Sequence, residues 1–245
     1  MLIAAAQTKP VKGDIEKNIA NHILLITQAI ASKADAVFFP ELSITGYEPE
    51  LANELATTAN DERFTVFQQL ANDHDITIGI GLPVKNNSSI QISMAVYQPN
   101  QPPQTYAKQY LHSSETSWFV NGSGQIFLSI KDAVVAPAIC YELNVPGHSA
   151  FAINSGAGVY IASTVNSFNG VDKDLNQLAG IAATYHIPVL MSNCIGITGG
   201  YTCAGKTSAW NTEGNLLAQL DSEHEGLLIM DTATQETKQY LAPFN

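Results

Sequence analysis

Ala133-Val134-Val135-Ala136-Pro137-Ala138-Ile139-Cys140 runs directly into Tyr141-Glu142-Leu143-Asn144-Val145-Pro146-Gly147-His148. A short apolar run that ends in a polar, turn-forming one reads as a buried strand giving way to a loop. A thiol at that junction has its stem held by the strand and its sulfur aimed at a cleft, which is how a nucleophile is placed. Free cysteine is also among the most buried residue types and serves as a small hydrophobe. Whether Cys140 does chemistry therefore depends on a base and a cation at the ends of other strands.

Upstream of this run, Met1 to Gln7 is apolar and reads as a first buried strand. It lacks the basic flank and length of a secretory segment. Asp14 caps a predicted helix from Ile15 to Ser32 with Ile19, Ile23, Ile26 and Ile30 on one face. Ala36-Val37-Phe38-Phe39 is a short continuous apolar run, typical of a strand covered on both faces. A second helix is predicted over Asp61–His74, followed by strands at residues 76–81, 90–97, 104–108 and 126–130.

Downstream, helix and strand alternate: helix 149–155, strand 159–162, helix 174–185 and strand 189–191, then strands at 206–210, 216–220 and 227–230. β-rich stretches with helices inserted imply an α/β protein with sheets packed face to face and helices on the outer faces. Neither a repeat nor a linker divides residues 1–245, so a single domain is expected.

The composition excludes whole classes of function. With 11 basic against 22 acidic side chains the formal net charge is −11, the opposite of a nucleic-acid or anionic-membrane footprint. No apolar stretch approaches the roughly 20 residues needed to span a bilayer. Three scattered cysteines form no disulfide framework, and no histidine lies at metal-ligand spacing from another histidine or a cysteine, so no metal or cofactor is called for. A reducing cytoplasm suits such a chain. Charged residues are only 13% of the total, which leaves apolar surface for self-association.

Three further residues stand where a base and a cation are needed. Glu41 follows Ala36-Val37-Phe38-Phe39-Pro40, where desolvation would raise its pKa toward the range of a general base. Lys108 ends a strand among Tyr106, Tyr110 and Leu111, placed to face an oxyanion. Glu115, seven residues on, is close enough along the chain to hold the Lys108 ammonium. Glu48 and Glu50 read as surface residues. Cys194 reads as a buried hydrophobe, and Cys203, in a polar loop, as a neighbour of the site without a partner base.

Phe39-Pro40-Glu41-Leu42-Ser43-Ile44-Thr45-Gly46-Tyr47, Tyr106-x-Lys108-x-x-Leu111, Glu115-x-x-x-Phe119-x-x-Gly122 and Ile139-Cys140-Tyr141-Glu142 resemble, in order, the signature blocks of the nitrilase superfamily of carbon–nitrogen hydrolases. The resemblance extends from Ala6-Gln7 to Gly205-Lys206-Thr207-Ser208-Ala209-Trp210 and Gly214. It implies a four-layer αββα sandwich that pairs into an αββα–αββα homodimer. It further implies that Glu41, Lys108, Cys140 and Glu115 are the catalytic set of a thiol amidase acting on a small linear amide or N-carbamoyl amine. Cys140 would form a thioester, with the oxyanion between Lys108 and the Tyr141 N–H, and Glu115 would orient Lys108.

Tyr47, Tyr141, Asn144 and Asn166 are the expected substrate contacts, with the loop from Ser163 to Asp174 lining the pocket. Many relatives carry arginine and an aromatic residue where this chain has Asn144 and Val145, and the loop has no arginine either. A neutral or cationic substrate is thus expected rather than a dicarboxylate monoamide. The competing readings are a nitrilase or acyl-transferring member, a binding protein that keeps the fold, and a Cys-His dyad using His148 or His186.

Overall fold

In the computed structural model, which describes residues 1–243, the first strand is apolar on both sides: Ile3, Ala4, Ala5 and Ala6 are all fully buried. In chain order the strands are β1 Leu2–Gln7, β2 Ala36–Phe38, β3 Thr77–Asn86, β4 Ser89–Tyr97, β5 Gln104–Ala107, β6 Leu128–Ile130, β7 Ala133–Ile139 and β8 Val159–Ser163. They continue as β9 Val189–Ser192, β10 Ile195–Thr198, β11 Tyr201–Ala204, β12 Ser208–Trp210, β13 Leu216–Gln219, β14 Gly226–Asp231 and β15 Thr237–Leu241. The α-helices are α1 Ile15–Ala31, α2 Ala52–Leu55, α3 Thr65–His74, α4 Pro146–Asn154 and α5 Val171–Tyr185.

Two sheets form, one in the order β15-β14-β1-β2-β3-β4-β5 and the other β13-β12-β9-β8-β7-β6, with β10 and β11 as a separate hairpin. At the centre of each sheet three strands are parallel, β1-β2-β3 and β7-β8-β9. Parallel neighbours need crossovers. α1 links β1 to β2, α2 and α3 lie between β2 and β3, and α4 and α5 serve the second sheet.

Period-two alternation sorts the side chains into layers. Ile3, Ala5, Phe38, Val135, Ile139, Ile161 and Leu190 face inward and form one core between the sheets. Ala4, Ala6, Val37 and Phe39 face outward onto Leu25, Ile26 and Phe67 of α1 and α3. Ala136, Ala138, Tyr160 and Met191 face Ala152, Leu178 and Ile181 of α4 and α5. The result is the expected four-layer αββα sandwich. Among the described residues no helix is long and apolar enough to cross a membrane.

One local expectation is extended and two are corrected. On α1 Ile26 is buried and Ile19, Ile23 and Ile30 pack half-buried against the same core as expected, but the fully buried face also holds Ile15, Asn18, His22, Leu25 and Ala29. Polar Asn18 and His22 are turned inward because they are tied to the loop that follows β2. Asn18 Nδ2 donates to the carbonyls of Val11 and Ile44 at 2.8 and 2.9 Å, and His22 Nε2 pairs with Ser43 Oγ at 2.9 Å. The stretch around Thr198–Thr202, read as a loop, is instead the hairpin β10–β11, which turns through Gly199 and Gly200. Glu48, read as surface, is 6% exposed. It accepts from Thr198 Oγ1 and the Gly199 N–H and pairs with Lys12, so it clamps the hairpin tip.

The loops after β2, β5, β7 and β8 all emerge at one end of the sandwich, the carboxyl ends of these strands, where α/β sheets build sites. There Ser192 Oγ donates to the Phe38 carbonyl at 2.8 Å and stitches the two sheets together. Gly81 lets β3 approach the Glu41 loop, because a Cβ there would collide with the backbone of Pro40 and Leu42. Gly81→Ala is expected to cost about 1–3 kcal/mol by overpacking, seen as a Tm lowered by roughly 3–10 °C. An unchanged melt would show that the loop does not press on β3.

Candidate active site

Lys108 continues the β5 ladder, its N–H donating to the Ile92 carbonyl, and its side chain is fully buried. A buried ammonium needs compensating anions. Nζ donates to Glu41 Oε1 at 2.6 Å and to Glu115 Oε1 at 2.7 Å, and both carboxylates are almost wholly buried. Glu115 is itself fixed: Oε1 also accepts from Tyr47 Oη at 3.1 Å and Oε2 from the His112 N–H at 2.8 Å. Glu41 Oε2 has no hydrogen-bond partner, and the Glu41 carboxylate neighbours the Cys140 thiol.

Cys140 follows β7 at φ +46°, the left-handed region that a residue with a Cβ rarely enters. It opens a short 3-10 turn over Cys140–Asn144, and this bend swings the sulfur away from the strand. Glu142, two residues on, is fully buried and holds the bend: Oε2 accepts from the Ile139 N–H at 2.7 Å and from Tyr106 Oη at 2.8 Å. Its other oxygen accepts from the Gln109 N–H, so one carboxylate joins the backbone beside Cys140 to the backbone beside Lys108. Beneath it, His148 Nε2 meets Tyr106 Oη and Nδ1 meets Tyr160 Oη, each at 2.8 Å.

The electrostatics follow from burial. Desolvation pushes Glu41 up to about 7, reinforced by Glu115 and opposed by Lys108. Burial works against the Lys108 ammonium, but the charges of Glu41 and Glu115 outweigh it and hold its pKa above the usual lysine range. Burial, and then the Glu41 charge, push the Cys140 thiol well above its ordinary value, with Lys108 and the Val165 N–H pulling the other way. The resting arrangement is a neutral thiol beside a carboxylate able to take its proton.

The site opens into a pocket of about 330 Å³. Every residue expected at the site from sequence lies on it or immediately beneath it. Glu41, Glu115, Cys140, Tyr47, Tyr141, Asn144 and Asn166 line it, and Lys108 sits under its floor, bonded to both glutamates. The loop from Ser163 to Asp174 also lines it, through Val165, Asn166, Ser167, Gly170, Lys173 and Asp174. Sequence reasoning missed His112, Ser114 and Tyr201, which also line it, and the tethering role of Glu142. His112 and Ser114 lie just before Glu115 in the chain; Tyr201 reaches the pocket only through the unforeseen hairpin.

Asn193, fully buried, positions the Asn166 loop by accepting from the Asn166 N–H at 2.8 Å and donating to the Gly205 carbonyl at 2.7 Å. Cys194 is buried as expected. Cys203 is buried too, its Sγ 3.1 Å from that of Cys194, and it does not line the pocket. A Cys-His dyad using His148 or His186 has no place: both His148 nitrogens meet tyrosines and His186 caps α5 at the surface.

Glu142→Ala would leave the N–H groups of Ile139 and Gln109 without their acceptor. At roughly 1–3 kcal/mol per unsatisfied buried group, the variant is expected to lose about 3 kcal/mol or more and to melt about 6–12 °C lower. A thermal melt checks this, and a Tm within a degree or so of wild type would deny the tether.

The same arrangement recurs in known proteins at the level of fold. A cysteine-to-alanine mutant of the amidase from Nesterenkonia sp. AN1, in complex with butyramide, superposes with a TM-score of 0.86 at 22% identity, covering 95% of this chain and 91% of that one. Among curated proteins, the 2-oxoglutaramate amidase of Bacillus subtilis is 24% identical over 208 residues, 83% of this chain and 80% of its own length. A glutamine-dependent NAD(+) synthetase of Thermotoga maritima is 24% identical over 204 residues, 79% of this chain. The match spans only 35% of that synthetase and 26% of its Aquifex aeolicus counterpart. The family model for carbon-nitrogen hydrolase matches residues 2–241, nearly the whole sandwich and all four strand-end segments, and the chain belongs to that family.

Proposed function

We propose that the protein is a cysteine-dependent amidase that cleaves a non-peptide C–N bond in a small linear amide or N-carbamoyl amine and releases ammonia. One observation carries the reading: Lys108 Nζ bridges Glu41 and Glu115 at 2.6 and 2.7 Å, while the Glu41 carboxylate neighbours the Cys140 thiol and both line the pocket. That supplies a nucleophile, a base and a fixed positive charge within one desolvated cluster.

In this reading Glu41 takes the Cys140 proton as sulfur attacks the carbonyl carbon, so the thiol need not ionise beforehand. The carbonyl oxygen, gaining negative charge, sits between the Lys108 ammonium and the Tyr141 N–H. Glu41 then passes its proton to the departing nitrogen, and the C–N bond breaks to leave a thioester. A water molecule, losing its proton to Glu41, attacks the thioester; the acid departs and the thiol is restored. Glu115 holds Lys108 in place, and Tyr47 holds Glu115.

The reading extends to a homodimer in a reducing cytoplasm. Phe151, 58% exposed on α4, is apolar surface of the kind a second copy would cover, and the three cysteines are free thiols.

The test is ammonia release from a panel of amides, carbamoyl amines and nitriles, with intact mass measured alongside. Cys140→Ala and Glu41→Gln are expected to lose turnover by at least about 10⁴-fold, and the acyl adduct should be absent from Cys140→Ala. Undiminished ammonia release by Cys140→Ala would refute the proposal. Because Glu41 must be ionised to accept the proton, kcat/KM is expected to rise with pH and level off above about 7. A profile that falls across that range would remove Glu41 as the base.

A further inference from the structure

The charge around the pocket is one-sided. Lys108 is committed to Glu41 and Glu115, and the other charged side chains on the lining are Asp174 and Lys173. Lys173 is exposed, where solvent and salt screen it. Asp174 is 8% exposed, so its field reaches the pocket far less attenuated.

Asp174 lies in the first turn of α5, and its Oδ1 accepts from Asn144 Nδ2 at 2.9 Å. Asn144 ends the 3-10 turn that Cys140 begins. The carboxylate is therefore pinned to the same short segment that carries the nucleophile, on the wall where the tail of a bound amide would run. Its partners are neutral amides. Burial raises its pKa, an effect that Asn144, Asn166 and the neighbouring exposed Lys173 only partly offset. Tyr47, Tyr141 and Tyr201 line the same pocket, and aromatic rings of this kind attract cations.

We propose that Asp174, held by Asn144, is a specificity determinant that binds a positively charged group on the tail of the substrate, making the favoured class small linear amides with a terminal ammonium or guanidinium. This rests on the amidase reading above. A purely structural Asp174, stabilising the start of α5, would make no distinction among substrates by charge.

A matched trio separates the two roles: γ-aminobutyramide, its neutral isostere valeramide, and succinamate, which carries a carboxylate instead. A desolvated charge pair is expected to favour γ-aminobutyramide over valeramide by roughly tenfold or more in kcat/KM, with succinamate the poorest. Asp174→Asn is expected to bring the ratio of γ-aminobutyramide to valeramide close to one. Equal turnover of the two by wild type, a preference for succinamate, or a ratio unchanged in Asp174→Asn would each overturn the proposal.

Calorimetric binding of the trio to Cys140→Ala, which needs no turnover, should give the same order, and binding that ignores charge would count against it. If no amide is hydrolysed yet charge-selective binding persists and is lost in Cys140→Ala/Asp174→Asn, the amidase reading fails and the role of Asp174 stands.

Discussion

The structure turns on one ammonium. Lys108 is fully buried, and an isolated lysine in such a place would shed its proton rather than its hydration. It stays charged because two carboxylates, from the segments after β2 and after β5, converge on it. Those carboxylates are in turn tolerable without water only because the ammonium is there. Neither anion nor cation is stable in that position alone, so the segments after β2 and after β5 must be assembled together or not at all.

Much of the polar interior exists to enforce that assembly. Asn18 and His22 turn inward from α1 to grip the loop carrying Glu41, and burial holds His22 neutral, down to about 3. Glu142 ties the Cys140 bend to the backbone after Lys108. Glu48 clamps the hairpin that brings Tyr201 to the pocket, and Asn193 sets the Asn166 loop. Each is a polar side chain buried at a cost that its hydrogen bonds offset. Together they convert a set of flexible loop ends into a fixed charge array, which is the condition for electrostatic catalysis.

Several of these residues resisted reading along the chain for one reason. Helical periodicity assigns faces by hydrophobicity, and on α1 it marked the isoleucines that pack on the sheet but passed over Asn18 and His22, because the partners that reward burying an amide and an imidazole lie in a loop more than twenty residues away. Glu48 looked solvated for the same reason: its acceptors' partners, Thr198 and Gly199, lie some 150 residues downstream. β15 escaped notice as an edge strand without an alternating apolar pattern, and β10–β11 because two adjacent glycines resemble a loop as readily as a hairpin turn.

What the sequence determined by itself was the order of buried strands and amphipathic helices, hence the layered architecture, and the identity of the strand-end residues with chemistry to offer. Glu41, Lys108 and Cys140 stood out as types unusual beside apolar runs and Glu115 by its closeness to Lys108, while the resemblance of their segments to a known family joined the four into one set. What only the tertiary structure decided was their joint state: that Lys108 is shared between two carboxylates, that one of these, Glu41, neighbours the thiol, and that Asp174, paired with Asn144, lines the same pocket. Charge and pKa depend on distance and desolvation, and those are set by segments remote in sequence that meet only when the sheets pack.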